Sequence, residues 1–446
     1  MENEDSERLA KNKRIKDTLS ATRSRRKSMD CRTFSVKIQD NKLNLAQREA
    51  LKMIFVEAKW FYNSLISFIE DRTHDPSEYD WKTKAVISLD KDRNPVSHEM
   101  EYLSASERQS SVTAVGQALK GLAVLKSHGR NVGSLGYKSE VNQITLKQNG
   151  INYDLDFDGD RIRVQGVKGQ LRVHGLDQFK DKNTHELIEG IEFGFARLIQ
   201  APSGHYLKVT VFLPHVDKLH NGRSVGVDFG CGTSFATSEG EKIDVSVREP
   251  ERLKRLSAHI NRQKLMSGHS KRRYRNIQLL RREYEKMDCR KKDKADKIVH
   301  CLLVYDRVII QDEMLSNWKM TGHGKAVQHS CLGSVKAKLI GQPNVVVLSR
   351  SMPTTKLCRE CGTVHSEMTL KDRVFECGCG VEEDRDIHAA ENMIWFADHN
   401  IGVIQVGAEH IESTRGELKP LVMAAVSGHD QTPTKNREAS CSSGKR

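Results

Sequence analysis

No apolar run in this 446-residue chain approaches the ~20 residues that cross a bilayer. Nothing near Met1 has the apolar core of a signal peptide, so neither secretion nor membrane spanning is expected. Aromatic residues make up only 6 %, and no internal repeat is present. What remains is a polar but globular composition, 29 % charged, with room for about three domains of ordinary size.

Acidic residues are the minority charge, 59 Asp and Glu against 72 Lys and Arg, for a net +13. That sign favours a polyanionic partner, of which nucleic acid is the usual one. A basic protein with no such partner is the competing reading. The excess is uneven: from Arg248 to Lys297, 18 Lys and Arg face 7 Asp and Glu. Residues 1–30, with "RSRRKS" at 23–28, have almost no large apolar side chains and are expected to form a disordered basic arm. The tail, 411–446, is expected to be disordered on the same ground.

The sequence carries ten cysteines, and six stand alone. The other four are Cys358, Cys361, Cys377 and Cys379. In a chain expected to be cytoplasmic, clustered cysteines read as metal ligands more readily than as disulfides.

Two architectures follow one another. "RTFSVKI" (32–38) alternates as a strand; Asn44 with Gln47 then forms a capping-box helix start, and Leu51, Ile54, Phe55, Ala58, Phe61, Tyr62, Leu65 and Ile69 recur at helical spacing. Ser104 and Glu107 open a second helix that runs to about Ser127. Between 130 and 215 short alternating segments separated by Gly, Asn and Asp read as strands. A small β-barrel over 31–215, with a helical insertion at about 44–128, is expected. Trp60 and Tyr62 can be read as base-stacking residues or as core. From 216 to 410 a β-β-helix-β-helix-β-helix order predicts a mixed α/β layer fold, with a basic helical segment at 248–297 and a helix from about Lys325 to Leu339. The chain is thus a multidomain α+β protein.

Two constellations carry chemistry. Cys358-x2-Cys361 and Cys377-x-Cys379, separated by a short hairpin, have the arrangement that closes a tetrahedral Zn²⁺ site in an insert spanning 351–383. Glycines 378 and 380 relieve the tighter second pair. Unligated or redox cysteines are the alternative. The second constellation is three acids on separate elements. Asp228 ends a buried strand, where an acid is costly unless it meets a cation. Glu313 ends another; strand alternation sets it on the face of Gln311 and turns Asp312 away, although Asp312 competes for the role. Asp386 stands at a helix start and is preferred over Asp384. Converging, the three would hold two Mg²⁺ ions, hard cations that prefer oxygen.

The motifs "VGVDFG" (225–230), "VIIQDE" (308–313), "KLCRECG" (356–362), "FECGCG" (375–380) and "DRDIHAAENM" (384–393) resemble the TnpB family of transposon-encoded RNA-guided nucleases and the compact type V CRISPR effectors related to it. The likeness is specific from about 220 to 400. It implies an RNase H-like (RuvC) nuclease domain with a zinc-binding insert, preceded by a wedge-type β-barrel carrying a helical recognition insertion. It also implies Mg²⁺-dependent cutting of DNA by Asp228, Glu313 and Asp386. Zinc would sit on the four cysteines. Guide RNA and target DNA, both the displaced strand and the RNA–DNA heteroduplex, are the implied partners, in a prokaryotic cytoplasm and associated with the nucleoid. In this sequence His388 stands where the family commonly has Asn, and "QDE" replaces an acid followed by "DL". Arg262, Lys264, Lys271, Arg272, Arg273 and Arg275 are expected to contact phosphates. An RNA-guided DNA-binding regulator with a silent nuclease and an RNase H-fold transposase are the alternatives.

Overall fold

Alternating apolar residues and paired helix caps lay out the first of two units into which the chain divides at Val216. The structure, a computed structural model, describes residues 2–70, 74–89, 94–216, 220–230, 234–266, 270–320, 322, 324–369, 371–407 and 409–410. The expected disordered tail 411–446 and residues 231–233 lie outside the described residues.

The first unit runs α1 (Glu2–Lys27), β1 (Met29–Ile38), α2 (Leu45–Ile69), β2 (Ala85–Leu89), β3 (Pro95–Glu99), α3 (Ala105–Ser127), β4 (Gln143–Leu146), β5 (Tyr153–Asp156), β6 (Arg161–Val164), β7 (Leu171–His174), β8 (Glu192–Ala201) and β9 (Gly204–Pro214). Seven strands form one antiparallel sheet in the order β4-β8-β9-β1-β7-β6-β5. Both expected capping boxes are present, Asn44 with Gln47 and Ser104 with Glu107. The apolar face of α2, from Leu51 and Ile54 to Phe61 and Leu65, shares a core with Val36, Ile38, Leu207 and Val209. Glu57, buried in that helix, accepts the backbone N–H groups of Glu101, Tyr102 and Leu103 and so ties the β3–α3 turn to α2. Trp60 stacks on His98, and the Tyr62 hydroxyl donates to Gly136 O.

The segment 1–30, read above as a disordered arm, is instead helical from Glu2 to Lys27. The segment is rich in Lys, Arg and Glu, which favour helix without needing a core. Its last turn is tied down: Arg25 and Arg26 bond Glu192, and the Arg26 guanidinium lies 4.3 Å from the centre of the Phe212 ring. The hairpin β2–β3 also went unread, because its short arms carry little periodicity.

The second unit runs β10 (Ser224–Asp228), β11 (Ser234–Thr237), β12 (Lys242–Asp244), α4 (Glu251–Met266), α5 (Lys271–Leu302), β13 (Arg307–Gln311), α6 (Leu315–Met320), α7 (Gly324–Gln328), α8 (Leu332–Leu339), β14 (Val345–Leu348), β15 (Val374–Glu376), β16 (Glu382–Asp384), α9 (Arg385–Asp398), β17 (Val403–Val406) and β18 (Glu409–His410). Its sheet has the order β12-β11-β10-β13-β14-β17-β18, with β10, β13 and β14 parallel at the centre and antiparallel strands on both sides. Buried on both faces, the central strands read as apolar runs. Val225, Val227, Val308 and Ile310 meet α5 and α8 on one face, while Ile309, Val346 and Leu348 meet α9 on the other.

Two details differ from the sequence reading. The helix expected from Lys325 to Leu339 is broken, because His329 and Cys331 hydrogen-bond Val247 and Val245 as an added strand would. The chain also returns to the sheet after α9, as β17 beside β14.

Candidate metal centres

The cysteine cluster is built from two tight turns. Cys358 N–H donates to Thr363 O and Gly362 N–H to Cys358 O; Cys377 N–H donates to Val381 O and Gly380 N–H to Cys377 O. Gly362 (φ +74°) and Gly380 (φ +100°) take left-handed conformations that a side chain would strain. The second turn closes the hairpin β15–β16. Together the turns bring four sulfurs within 4.8 Å of one another, with Cys358–Cys379 and Cys361–Cys377 each at 3.5 Å. Sulfurs around tetrahedral zinc, bound at about 2.3 Å, would stand about 3.8 Å apart, so the set fits that ion. Hydrogen bonding between Cys361 and Thr363 draws the Cys361 thiol down to about 6, toward the thiolate a metal needs, whereas burial holds the Cys358 thiol up. His365 stays outside the cluster, with Nδ1 3.1 Å from Glu367.

Asp228 ends β10 at the carboxyl end of the parallel strands. Its carboxyl is pushed up to about 7, first by the depth of protein around it, then by the charges of Asp386 and Glu313, with Arg385 opposing. Three elements therefore aim negative charge at one place. Among the described residues, the carboxylates do not draw within the 4.8 Å that the four sulfurs reach.

The two undecided pairs have distinct partners. Asp384 caps α9, accepting from Asp386 N–H and Ile387 N–H, and its other oxygen takes Lys242 Nζ at 2.6 Å. Asp386 stands one residue inside the helix, 3.1 Å from Arg385, itself 8 % exposed. After β13, Asp312 turns to Lys336 (3.1 Å), while burial raises the Glu313 carboxyl. The charge that reaches Asp228 from this segment is that of Glu313.

Gly226 explains how α9 comes so near. A Cβ there would collide with the Ala390 carbonyl, so only glycine admits the helix at this distance. Ala389 and Ala390 complete the close approach, as the run of small residues predicts.

Sequence reasoning missed what binds the two centres together. His388 is fully buried; its Nδ1 lies 2.5 Å from Glu383, its Nε2 lies 2.7 Å from Leu357 O, and its ring stacks on Phe375 at 3.7 Å. Asn392, one turn on, donates to Thr354 O and again to Leu357 O. Gln311 donates to Ser349 O and Met352 O. The cysteine segment is thereby fastened to both acid-bearing elements. The one available signal was His388 itself, a ring at a position where the resembled family has an amide.

The basic candidates are scattered along a helical hairpin. Arg262, Lys271, Arg272 and Arg275 are exposed, Arg273 is half-buried, and the Lys264 side chain lies outside the described residues. Leu253, Met287 and Leu280 seal α4 against α5. Glu283, 6 % exposed, pairs with Arg252 and Lys286.

A family model, the Cas12f1-like TNB domain, matches residues 334–393, from α8 through the cysteines to the first half of α9. A Streptomyces pristinaespiralis protein named as a candidate RNA-guided DNA endonuclease is 28 % identical over 182 residues, 38 % of this chain and 44 % of that relative. The chain thus spans under half the length of that relative. A Paramecium bursaria Chlorella virus 1 protein, named as the candidate transposase A625R, is 25 % identical over 394 residues, 81 % of this chain and 86 % of its own. Among the described residues no helix is long and apolar enough to cross a membrane. The matched segment coincides with the cysteine cluster and the first turns of the acid-bearing helix, and there the chain is similar to the Cas12f1-like family, as it is over 182 residues to the Streptomyces protein.

Proposed function

We propose that this chain is an RNA-guided DNA endonuclease. Its second unit would be an RNase H-like, RuvC-type nuclease with a structural zinc insert, and its first a wedge-type barrel with α2 and α3 as the recognition insertion. The observation that carries the reading is the raised carboxyl of Asp228, crowded by Asp386 and Glu313 at the end of buried parallel strands. Such crowding is unfavourable for an isolated protein and is relieved by a cation, and the donors are the hard oxygens that Mg²⁺ prefers. Two Mg²⁺ ions bound there would activate water and stabilise the departing 3′ oxygen of a cut phosphodiester.

The chain's own groups set the conditions. Asp384 and Lys242 fix the start of α9, so that Asp386 leaves the first turn toward Asp228. Lys336 holds the Glu313 carbonyl and draws Asp312 aside. Four cysteines would hold Zn²⁺ and fix Leu357, the carbonyl on which His388 and Asn392 converge. Guide RNA would read the target strand by pairing, as in RNA-guided nucleases generally, and the displaced strand would pass the basic hairpin. A cytoplasmic, nucleoid-associated activity follows from such a substrate.

Asp228→Ala is expected to abolish Mg²⁺-dependent cutting of a guide-matched DNA while leaving guide and target binding intact. Loss of binding together with cutting would refute the role given to Asp228. Sequencing the RNA that copurifies tests the guide: one structured RNA supports it, and random cellular RNA overturns it. A second reading, a transposase, draws on the longer match to a protein so named. It requires joining of a 3′-hydroxyl end, which a strand-transfer assay measures.

A further inference from the structure

The first cysteine turn carries a cation of its own. Arg359 stands between Cys358 and Cys361, and its side chain, 24 % exposed, leaves the turn for the acid-bearing helix. Nη1 lies 3.1 Å from Glu383 Oε1 and Nη2 3.4 Å from Glu383 Oε2, a two-pronged grip on one carboxylate. Nη2 also pairs with Glu391. Nη1 passes 3.4 Å from Nδ1 of His388, whose ring is seated on Phe375.

These partners straddle Asp386. Glu383 lies in β16, before the helix begins, and Glu391 lies in α9, beyond the acid. One guanidinium therefore holds both the strand that enters the helix and the helix itself. The planar fork of arginine suits this task, since its donors are fixed in pairs that match carboxylate oxygens. Burial raises the Glu391 carboxyl, against the opposing charge of Arg359.

Arg359 is also bound to the state of the cysteines. Its flanking residues supply two of the four sulfurs, and Gly362 N–H closes the turn on Cys358 O. Zinc bonded to both flanking sulfurs would fix the direction in which Arg359 leaves the turn; without the ion, that direction is left to hydrogen bonds and ion pairs alone.

We propose that Arg359 is a positioning residue that couples the two centres. Zinc on the cysteines sets Arg359, Arg359 sets Glu383 and Glu391, and these hold Asp386 toward Asp228, so that zinc tightens divalent-cation binding at the acids. The proposal rests on the reading that the three acids hold such a cation, and adds that the insert regulates it. Linkage makes the effect reciprocal: a cation at the acids tightens zinc by the same factor.

The test uses the full chain and Mn²⁺, which suits the same oxygen donors as Mg²⁺ and is counted by electron paramagnetic resonance without any cutting. The zinc-loaded parent should bind Mn²⁺ about 5-fold to 150-fold more tightly than the zinc-stripped parent, the ordinary range of coupling between sites. Arg359→Lys keeps the charge and loses the fork, while Glu391→Gln keeps the shape and loses the charge. Each should weaken Mn²⁺ binding only when zinc is loaded, and the stripped variants should match the stripped parent. Zinc affinity, read by competition with a chromogenic chelator, should rise with Mn²⁺ in the parent and stay level in Arg359→Lys. An arginine that only stabilises the fold would lower Mn²⁺ affinity with and without zinc alike, and that result overturns the proposal. So does a parent whose Mn²⁺ affinity ignores zinc. If Asp228→Ala loses Mn²⁺ while Arg359→Lys behaves as the parent, the coupling fails and the reading of the acids stands. If Asp228→Ala binds Mn²⁺ like the parent, the reading of the acids fails and takes the coupling with it.

Discussion

Gly226→Ala is the sharpest perturbation available, because one methyl group separates β10 from α9. A Cβ at 226 would lie 2.8 Å from the Ala390 carbonyl carbon and 3.4 Å from its Cα, with the carbonyl oxygen nearer still. Carbon atoms pack at about 3.5–4.0 Å, so the helix must retreat by about 1 Å. Neither side can yield by rotating a side chain, since the obstacle is backbone. Overpacking of this kind costs about 2–3 kcal/mol. The displaced helix carries Asp386, and a misplacement of about 1 Å costs about 100-fold in rate for a positioned catalytic group. Urea unfolding of the second unit and single-turnover DNA cutting measure the two effects. A variant with parental stability would refute the packing argument, and one that is destabilised yet cuts at the parental rate would separate Asp386 from the chemistry.

Asp228→Asn should raise the thermal midpoint in chelator at pH 8 while abolishing cutting. The folded carboxyl titrates near 7 against 3.8 for the ordinary value, so the folded state binds the extra proton between those limits. Stability of the metal-free chain should therefore fall as pH rises from about 4 to about 7, and the Asn variant should lose that slope; an identical pH profile would remove the crowding argument. Cys358→Ser should leave the purified chain with far less than one zinc by elemental analysis, and a full complement would show the ion to be held elsewhere. His388→Ala leaves Glu383 with Arg359 as its remaining partner and opens a hole under Phe375; a loss of about 3 kcal/mol and faster zinc release to a chelator are expected. Parental zinc retention would show that the ring does not fasten the insert.

Much of the molecule could be read from local pattern. Asn44 with Gln47 and Ser104 with Glu107 are caps whose partners lie three residues away, and short-range chemistry of that kind is written in the sequence. The cysteine cluster was legible because two turns need only their own glycines to form. The choice between Asp384 and Asp386 was not, since it depends on Lys242, distant in sequence, taking one of them. Asp312 is likewise drawn aside by Lys336 on a later helix. The break before α8 depends on strand-like bonds to Val245 and Val247. The first helix was missed for another reason: its composition permits helix without a core, and only the bonds to Glu192 show where it ends.

The double hold of His388 and Asn392 on the Leu357 carbonyl sets where this protein can be cut and rejoined. A chimera that imported a foreign knuckle between Ser349 and Asp384 would bring the loop but leave its receptor behind on α9, and would dock poorly. Exchange boundaries drawn beyond Asn392 would carry lock and key together. The hairpin's far side, near Glu367 and Lys371, touches neither hold and is the place to splice in a new sequence or a label.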